Sequence, residues 1–504
     1  MKEDPAIVSA GAAALPGLGL ARGRRRREAL RRPAAAAKPA QRRGSPATPG
    51  APGVSALATK PRAKACDSPP RDSGQTRQTQ RAPKPETPAV RRKGSGHTAA
   101  ALLLFVAALL VCRAPSRAFD LLDPASWPII PVPEVVTDPF AGTTVGILPV
   151  HLFLDAQQQI TAILAPDLSD NTITGATGNF RYLSFPSADT NWWVTAGASQ
   201  VIEREVDLFY GSGRLHRDQW SYQGEFRFDR NPTERFFGVG NNTPFSAQTN
   251  YTLGRVFGEG RLGYNVTPRL QVAADELIQR VRIGPGALVA TLPSTQSRFP
   301  NVAGVDGGTE LMNRLLLTYD SRDSIYIPHS GTFARVFCGF SQRGFVSSAS
   351  FNQFGAEARE YVALGDRMTL AGHLYLQYVP GGDQTPFWAM SWLGGDRAFL
   401  GMREPLRAYG PGRFIDDNLS VANLELRTWV YEMDVFKTHG ILELAPFVEA
   451  GQVFHEMTGD PVGQLHPAAG MGFRGIAFPF VVGYVDVGYG SEGAVLFSGI
   501  NYAF

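Results

Sequence analysis

The sequence predicts an all-β chain, a transmembrane barrel of sixteen antiparallel strands behind a disordered leader and a signal peptide. Three observations carry that reading. From about residue 143 onward, short segments alternate apolar and polar residues with period two between Gly, Asp, Asn and Pro clusters, and long helical periodicity is absent. An apolar stretch from Ala99 to Cys112 suits a signal-peptide core and is too short for a spanning helix. The chain also stops on a strand that alternates Tyr502 and Phe504 onto one face.

The leader comes first. Residues 1–118 hold 23 Lys and Arg against 6 Asp and Glu, whereas residues 119–504 hold 26 against 39. The formal net charge of +4 therefore averages a basic leader and an acidic body. Residues 1–90 are rich in Ala, Pro, Arg, Gly and Ser and offer nothing to build a core, so disorder is expected. A signal peptide is expected over 91–118. Arg91, Arg92 and Lys93 precede the apolar core, and Ser116 and Ala118 occupy the small positions of a cleavage site before Phe119. Such a signal normally lies near the start of a chain, and no Met occurs between Met1 and Met312. Residues 1–90 thus read as a mis-called start or as an unusually long leader. A nucleic-acid-binding arm is the other use of a basic stretch. The export signal behind it argues against that, and no nucleic-acid partner is expected.

In the body, Cys338 stands without Cys66 and Cys112, which excludes an intramolecular disulfide and a zinc site built on paired cysteines. Residues 119–142 contain Pro124, Pro128, Pro131, Pro133 and Pro139 and read as an extended periplasmic lead-in. The barrel is expected over 143–504. Its clearest strands span 220–229, 251–266, 311–320, 332–341, 351–364, 368–379, 419–431, 442–454, 468–476, 480–489 and 495–504. Weaker ones fall at 143–155, 158–165, 172–187, 192–210 and 270–283. An even strand number with tight turns at one end and longer loops at the other fits an outer-membrane barrel; a soluble β-sandwich or propeller is the rival.

Charge placement supports the barrel. Leu424, Leu426 and Thr428 fall on one face of their strand and Glu425 and Arg427 on the other. Lipid must meet the apolar face, so Glu425 and Arg427 point inward, and the same logic sends Glu449, Arg474 and Asp486 inward. Two G-x-G-x-x-G matches, starting at Gly258 and Gly470, lie within alternating strands and open no helix, so they do not read as dinucleotide loops. There is no G-x-S-x-G elbow and no i, i+4 pair of histidines. No cofactor, no metal and no enzymatic activity are expected.

Four segments, in order along residues 236–504, together resemble the BamA-type outer-membrane barrel superfamily, also called the bacterial surface antigen family. They are the aromatic-Gly-x-Gly-Asn-x-Thr stretch from Phe236 to Thr243; the turn motif of Asp320, Arg322, Asp323, Pro328 and Gly331; Leu393-Gly394-Gly395 through Asp416 to Arg427; and Phe447 to Gly451 followed by Gly470 to Arg474. The resemblance implies a long extracellular loop folded back into the lumen. The family anchors that loop with Val/Leu-Arg-Gly-Phe/Tyr. The matching place is taken as Phe399 to Met402, with Leu400 where Arg is expected. Arg403, Arg413 or Arg397 is then expected to supply the anchor, Arg403 first, by reaching Glu449 among Glu425, Arg474 and Asp486. Gly499, Tyr502 and Phe504 resemble the terminal signal by which the barrel-assembly machinery recognises its clients. Residues 119–142 are too few for the periplasmic POTRA domains of the family, so the barrel is expected to lack them. The implied function is an integral outer-membrane barrel with a role in outer-membrane protein or lipid assembly or translocation. Outer-membrane lipid, the assembly machinery and an unidentified periplasmic protein are its partners. A passive pore or structural barrel is the second reading, and a barrel-embedded hydrolase the third.

Overall fold

A computed structural model describes residues 129–504, apart from 157–159, 188, 214, 289, 345, 382–383, 399–401, 436–437, 457–461, 478–480 and 501. The leader, the signal peptide and residues 119–128 of the lead-in lie outside the described residues.

Among the described residues, one antiparallel sheet contains nineteen strand segments. They begin with β1 (Ile130–Asp138), β2 (Gly142–Leu154), β3 (Ile160–Leu164), β4 (Asp167–Asn171), β5 (Gly175–Ser187), β6 (Thr190–Ser199) and β7 (Arg204–Ser212). The longer strands β8 (Trp220–Phe236), β9 (Thr249–Thr267) and β10 (Leu270–Pro285) follow, then β11 (Gly308–Asp320), β12 (Gly331–Ser341), β13 (Phe351–Ala363) and β14 (Met368–Tyr378). After an insertion holding β15 (Ser391–Leu393), β16 (Arg403–Glu404) and β17 (Phe414–Asp416), the sheet resumes with β18 (Asn418–Val435) and β19 (Thr438–Phe454). It ends with β20 (His466–Ala477), β21 (Val481–Gly490) and β22 (Gly493–Ile500). β3 and β4 both pair with β2 and with β5, so they are halves of one interrupted strand and the nineteen segments occupy eighteen positions.

Eighteen positions correct the sixteen expected, for two local reasons. The Pro-rich lead-in forms β1, in register with β2 from Ile130↔Val150 to Asp138↔Gly142. The single strand expected over 192–210 is a hairpin, β6 and β7, turning at Gln200–Glu203 with Ile202 at a φ of 59°. Prolines and a turn without glycine hid both. Proline is tolerated in β1 because it sits at an edge. Val135 turns its carbonyl toward β22, where Ser498 Oγ donates to it at 3.2 Å. Within a strand, residues two apart aim their backbone groups the same way. Pro131 and Pro133 therefore withhold their missing N–H groups from the β22 side and leave the β2 ladder intact.

Along each strand the two faces differ in chemistry. Leu315, Val336, Leu374, Val448 and Phe473 point outward and are exposed, while Arg314, Glu357, His373, Glu449 and Arg474 point inward and are buried. Such an outer surface is too apolar for a water-facing protein. The inner face is held by ion pairs across strands: Arg261 and Arg314 both reach Asp275 at 2.7 Å, and Arg227 lies 2.7 Å from Glu225. Among the described residues no helix is long and apolar enough to span a membrane.

One end of the barrel carries tight turns, such as the one joining β9 to β10 at Thr267↔Leu270. The other end carries the long connections after β8, β10 and β14. Both G-x-G-x-x-G matches lie within strands, β9 and β20. The turn motif closes β11 onto β12. Arg322 is held by Asp320 at 2.7 Å, His329 N donates to Asp323 at 3.0 Å, and Gly331 takes a φ of 105° where a Cβ would stand 2.4 Å from the Ser321 carbonyl.

Candidate functional site

The connection between β14 and β18 does not leave the barrel. β15, β16 and β17 form a small sheet of their own, with Trp392 paired to Arg403 and Ile415. Its residues are almost all buried: Leu393, Leu406, Ala408 and Tyr409 pack with Val421, Val453 and Ala468 of the barrel wall.

Arg407 is the centre of this contact and has no exposed surface. Its backbone N–H donates to Glu449 Oε2 and its Nε to Glu449 Oε1, each at 2.7 Å. Its Nη1 donates to Glu425 Oε2 at 2.8 Å and to Asp486 Oδ2 at 2.9 Å. The guanidinium also lies 3.7 Å from the centre of the Phe447 ring. Burial disfavours the cation, but Glu449, Glu425 and Asp486 outweigh it and hold Arg407 more firmly charged than a free arginine. Arg474 completes the network with two bonds to Glu425, 2.6 and 2.8 Å, and one to Glu443 at 3.1 Å. Arg427 donates to Glu425 at 2.7 Å.

The strands are built to receive the loop. Inward positions on β20 and β21 are small: Ala468, Gly470, Gly472, Gly488 and Gly490. A Cβ at Gly488 would stand 1.9 Å from the Arg407 carbonyl oxygen. One at Gly470 would stand 2.2 Å from the Phe447 ring, which lies under the guanidinium. The second G-x-G-x-x-G match thus provides room for a loop.

The expected anchors fall elsewhere. Glu449, Glu425, Asp486 and Arg474 come together, but the arginine among them is Arg407, which corrects the choice of Arg403. Arg403 lies in β16, ahead of Arg407 in the loop; it lines a cavity of about 100 Å³ with Glu234, Trp388 and Trp392. Arg413 pins the loop to other loops: Nε donates to Glu492 at 2.7 Å and Nη2 to the Thr243 carbonyl at 2.7 Å, under the ring of Phe237. Arg397 donates to Tyr484 Oη at 3.2 Å. Residues 399–401, including Leu400, lie outside the described residues. The signal that was missed is Leu406-Arg407-Ala408-Tyr409, which reads as the family anchor with Ala in place of Gly.

The aromatic-Gly-x-Gly-Asn stretch closes the site from above. Gly240 N donates to the Ile415 carbonyl at 2.8 Å, and Asn241 Oδ1 accepts from Val453 N at 3.1 Å. From below come the terminal aromatics. The strand ends at Ile500, and Tyr502 lies 3.7 Å from Arg427 and 4.9 Å from Arg474. Phe504 is buried with Tyr361 and Ala371, and its ring stacks on His373 at 5.0 Å. Gly499 faces Arg397 and Tyr484, where a Cβ would meet Arg397 Nη2 at 2.3 Å.

One group could offer metal ligands. Asp416, Asp417 and His455 bring one ligand atom each within 4.8 Å, with His455 Nδ1 2.8 Å from Asp417. That is also the geometry of a plain His–Asp pair.

The crystal structure of BamA from Haemophilus ducreyi lacking POTRA domains 1-3 is similar over 74% of this chain and 75% of that one, at 13% identity and a TM-score of 0.43. CdiB from Acinetobacter baumannii is similar over 76% of this chain and 67% of its own, at 12% identity and a TM-score of 0.43. CdiB from Escherichia coli matches over 75% of this chain at 11% identity and a TM-score of 0.42, and this chain covers 63% of that protein, less than two thirds of its length. No curated protein matches the chain in sequence. The family model of the Omp85 superfamily domain matches residues 190–474, from β6 to β20 and across the whole pinned loop. Strands β6 to β19, the loop and Arg407 lie inside that match, and the chain belongs to the Omp85 superfamily.

Proposed function

We propose that this chain is an integral outer-membrane barrel that assembles or translocates protein or lipid at the seam between β1 and β22. Exported by a signal peptide ending at Ala118, it reaches the membrane as a client of the barrel-assembly machinery and works there with a periplasmic partner. The observation that carries the reading is the position of the pin. Arg407 holds the inserted loop to β18, β19 and β21, and β21 is the neighbour of the seam strand β22. A passive pore is the weaker reading, because the loop occupies the interior such a pore needs open.

The test is a tether across the seam. Val135→Cys and Ser498→Cys, placed on the contact between Val135 and Ser498, are combined with Cys338→Ser and oxidised in cells of the source organism. Loss of outer-membrane protein or lipid assembly, restored by reductant, is the expected result. Normal assembly with the tether formed overturns the proposal.

A further inference from the structure

The outer wall of the barrel carries a feature that neither the pin nor the seam uses. On β8, β9 and β10 the even-numbered residues face outward. From the tight-turn end they run Trp220, Tyr222, Phe226 and Phe228 on β8; Val266, Tyr264, Leu262 and Val256 on β9; and Val272 and Ile278 on β10. The apolar band then stops. Arg230 follows on β8, and Arg280 and Arg282 follow on β10, all exposed. Registers place Arg230 and Arg282 on either side of Gly254, at the same height. Two strand spacings put their backbones about 10 Å apart. Arg280 is level with Val256, one outward step nearer the band.

These residues line one groove of about 550 Å³, with Phe228, Val256 and Ile283 along its walls. Gly254 and Gly284 lie within it, and a Cβ at Gly284 would meet nothing within 4 Å. Among the described residues no carboxylate lines the groove. The nearest outward one on these strands is Glu276, two outward steps below Arg280. Among the described residues, no ion pair or hydrogen bond engages the guanidinium of Arg230, Arg280 or Arg282.

An arginine on the lipid face is destabilising at the membrane centre by roughly 2–4 kcal/mol and nearly neutral at the interface. Three of them along the border of the apolar band therefore mark headgroup level. The long connections after β8 and β10 leave the barrel at this end, which makes it the outer surface. Unpaired guanidinium forks match phosphate oxygens in geometry and charge, and the apolar walls below suit acyl chains.

We infer that the groove between β8 and β10 binds the phosphorylated sugar headgroup of an outer-leaflet glycolipid, with Arg230, Arg280 and Arg282 on its phosphates. The inference rests on the chain being an outer-membrane barrel, and it is independent of what the seam does.

The test uses the full folded chain in detergent and diphosphorylated lipid A as probe, read by native mass spectrometry and titration. The wild type is expected to bind lipid A more tightly than phosphatidylglycerol, and inorganic phosphate at equal concentration does not displace it. The triple variant Arg230→Gln, Arg280→Gln, Arg282→Gln is expected to lose roughly tenfold or more in affinity, while the triple Lys variant keeps most of it. Gly284→Trp fills the groove without removing charge and is expected to weaken binding likewise. Equal binding by the triple Gln variant overturns the inference. So does equal binding by Gly284→Trp, by phosphatidylglycerol, or displacement by phosphate alone. Heat-modifiable migration of every variant reports separately on the barrel: failure there in the wild type refutes the membrane reading itself.

Discussion

Glu449 holds Arg407 twice, at 2.7 Å through the backbone N–H and at 2.7 Å through Nε. One carboxylate thereby fixes both the path of the loop and the direction of its side chain. Glu425 and Asp486 then share Nη1.

Removing that guanidinium leaves three buried carboxylates facing one another. Arg407→Ala is expected to destabilise the loaded barrel by about 3–5 kcal/mol, the usual penalty for orphaning a buried charge. Arg407→Lys keeps the charge and loses the fork, and falls between. Protease sensitivity of the 394–418 loop, with the temperature at which heat-modifiable migration is lost, measures both. Wild-type protection in Arg407→Ala would show that the pin is dispensable.

A second variant reaches the same state without touching charge. Gly488→Ala places a Cβ against the Arg407 carbonyl, 1.9 Å away, and neither group is a flexible chain end. The loop is expected to become protease-sensitive as in Arg407→Ala. Gly475→Ala on the neighbouring strand meets nothing within 4 Å and serves as the silent control.

Glu404 gives the loop a pH dependence. Burial, then the nearby Glu357, push its carboxyl well above the ordinary 4.5. The folded state then holds a proton that the unfolded state releases, so stability falls as pH rises from about 4.5 toward the raised value. Below 4.5 both states are protonated and the contribution is flat. Glu404→Gln imitates the protonated form and is expected to remove that slope while keeping loop protection. An unchanged slope of loop protease resistance against pH would assign it to another group.

Deleting Phe504 removes a buried ring stacked on His373 and packed on Tyr361 and Ala371. Losing a buried phenylalanine typically costs about 3–5 kcal/mol. Less folded barrel in outer-membrane fractions is expected, and purified protein should unfold at lower temperature. Reduced cellular levels with unchanged stability would leave recognition as the residue's only role.

Cys338 is exposed on the outer face of β12, level with Leu315. In a membrane its thiol is expected to react with a lipid-soluble maleimide and to resist a charged, impermeant one. Rapid labelling by the charged reagent in intact membranes would place this face in water.

The strands from β8 onward were legible because lipid outside and ion pairs inside impose strict alternation, as in Leu424, Glu425, Leu426 and Arg427. The same alternation gave the inward carboxylates Glu425, Glu449 and Asp486. It was less help in β1 to β7, where Pro131 and Pro133 imitate a linker and Ile202 turns a hairpin without glycine. Arg407 escaped for a different reason. It lies on a short irregular segment with no periodicity to place it, and Ala408 replaces the glycine that would have marked its neighbour. Glycine spacing was silent in another way: Gly470 and Gly472 do not read as a nucleotide loop, but their role shows only once Phe447 and the inserted loop lie over them.

The two prolines of β1 make the two lips of the seam unequal in backbone donors. An incoming strand that paired with β1 on that edge would find no donor at Pro131 or Pro133, forfeiting two ladder bonds of about 0.5–1.5 kcal/mol each. β22 has no proline between Gly493 and Ile500, so its backbone offers a complete template. If the proposed function holds, a segment annealing at the seam is expected to pair with β22 rather than with β1, and a disulfide cross-link from a trapped segment to β22 and not to β1 checks it.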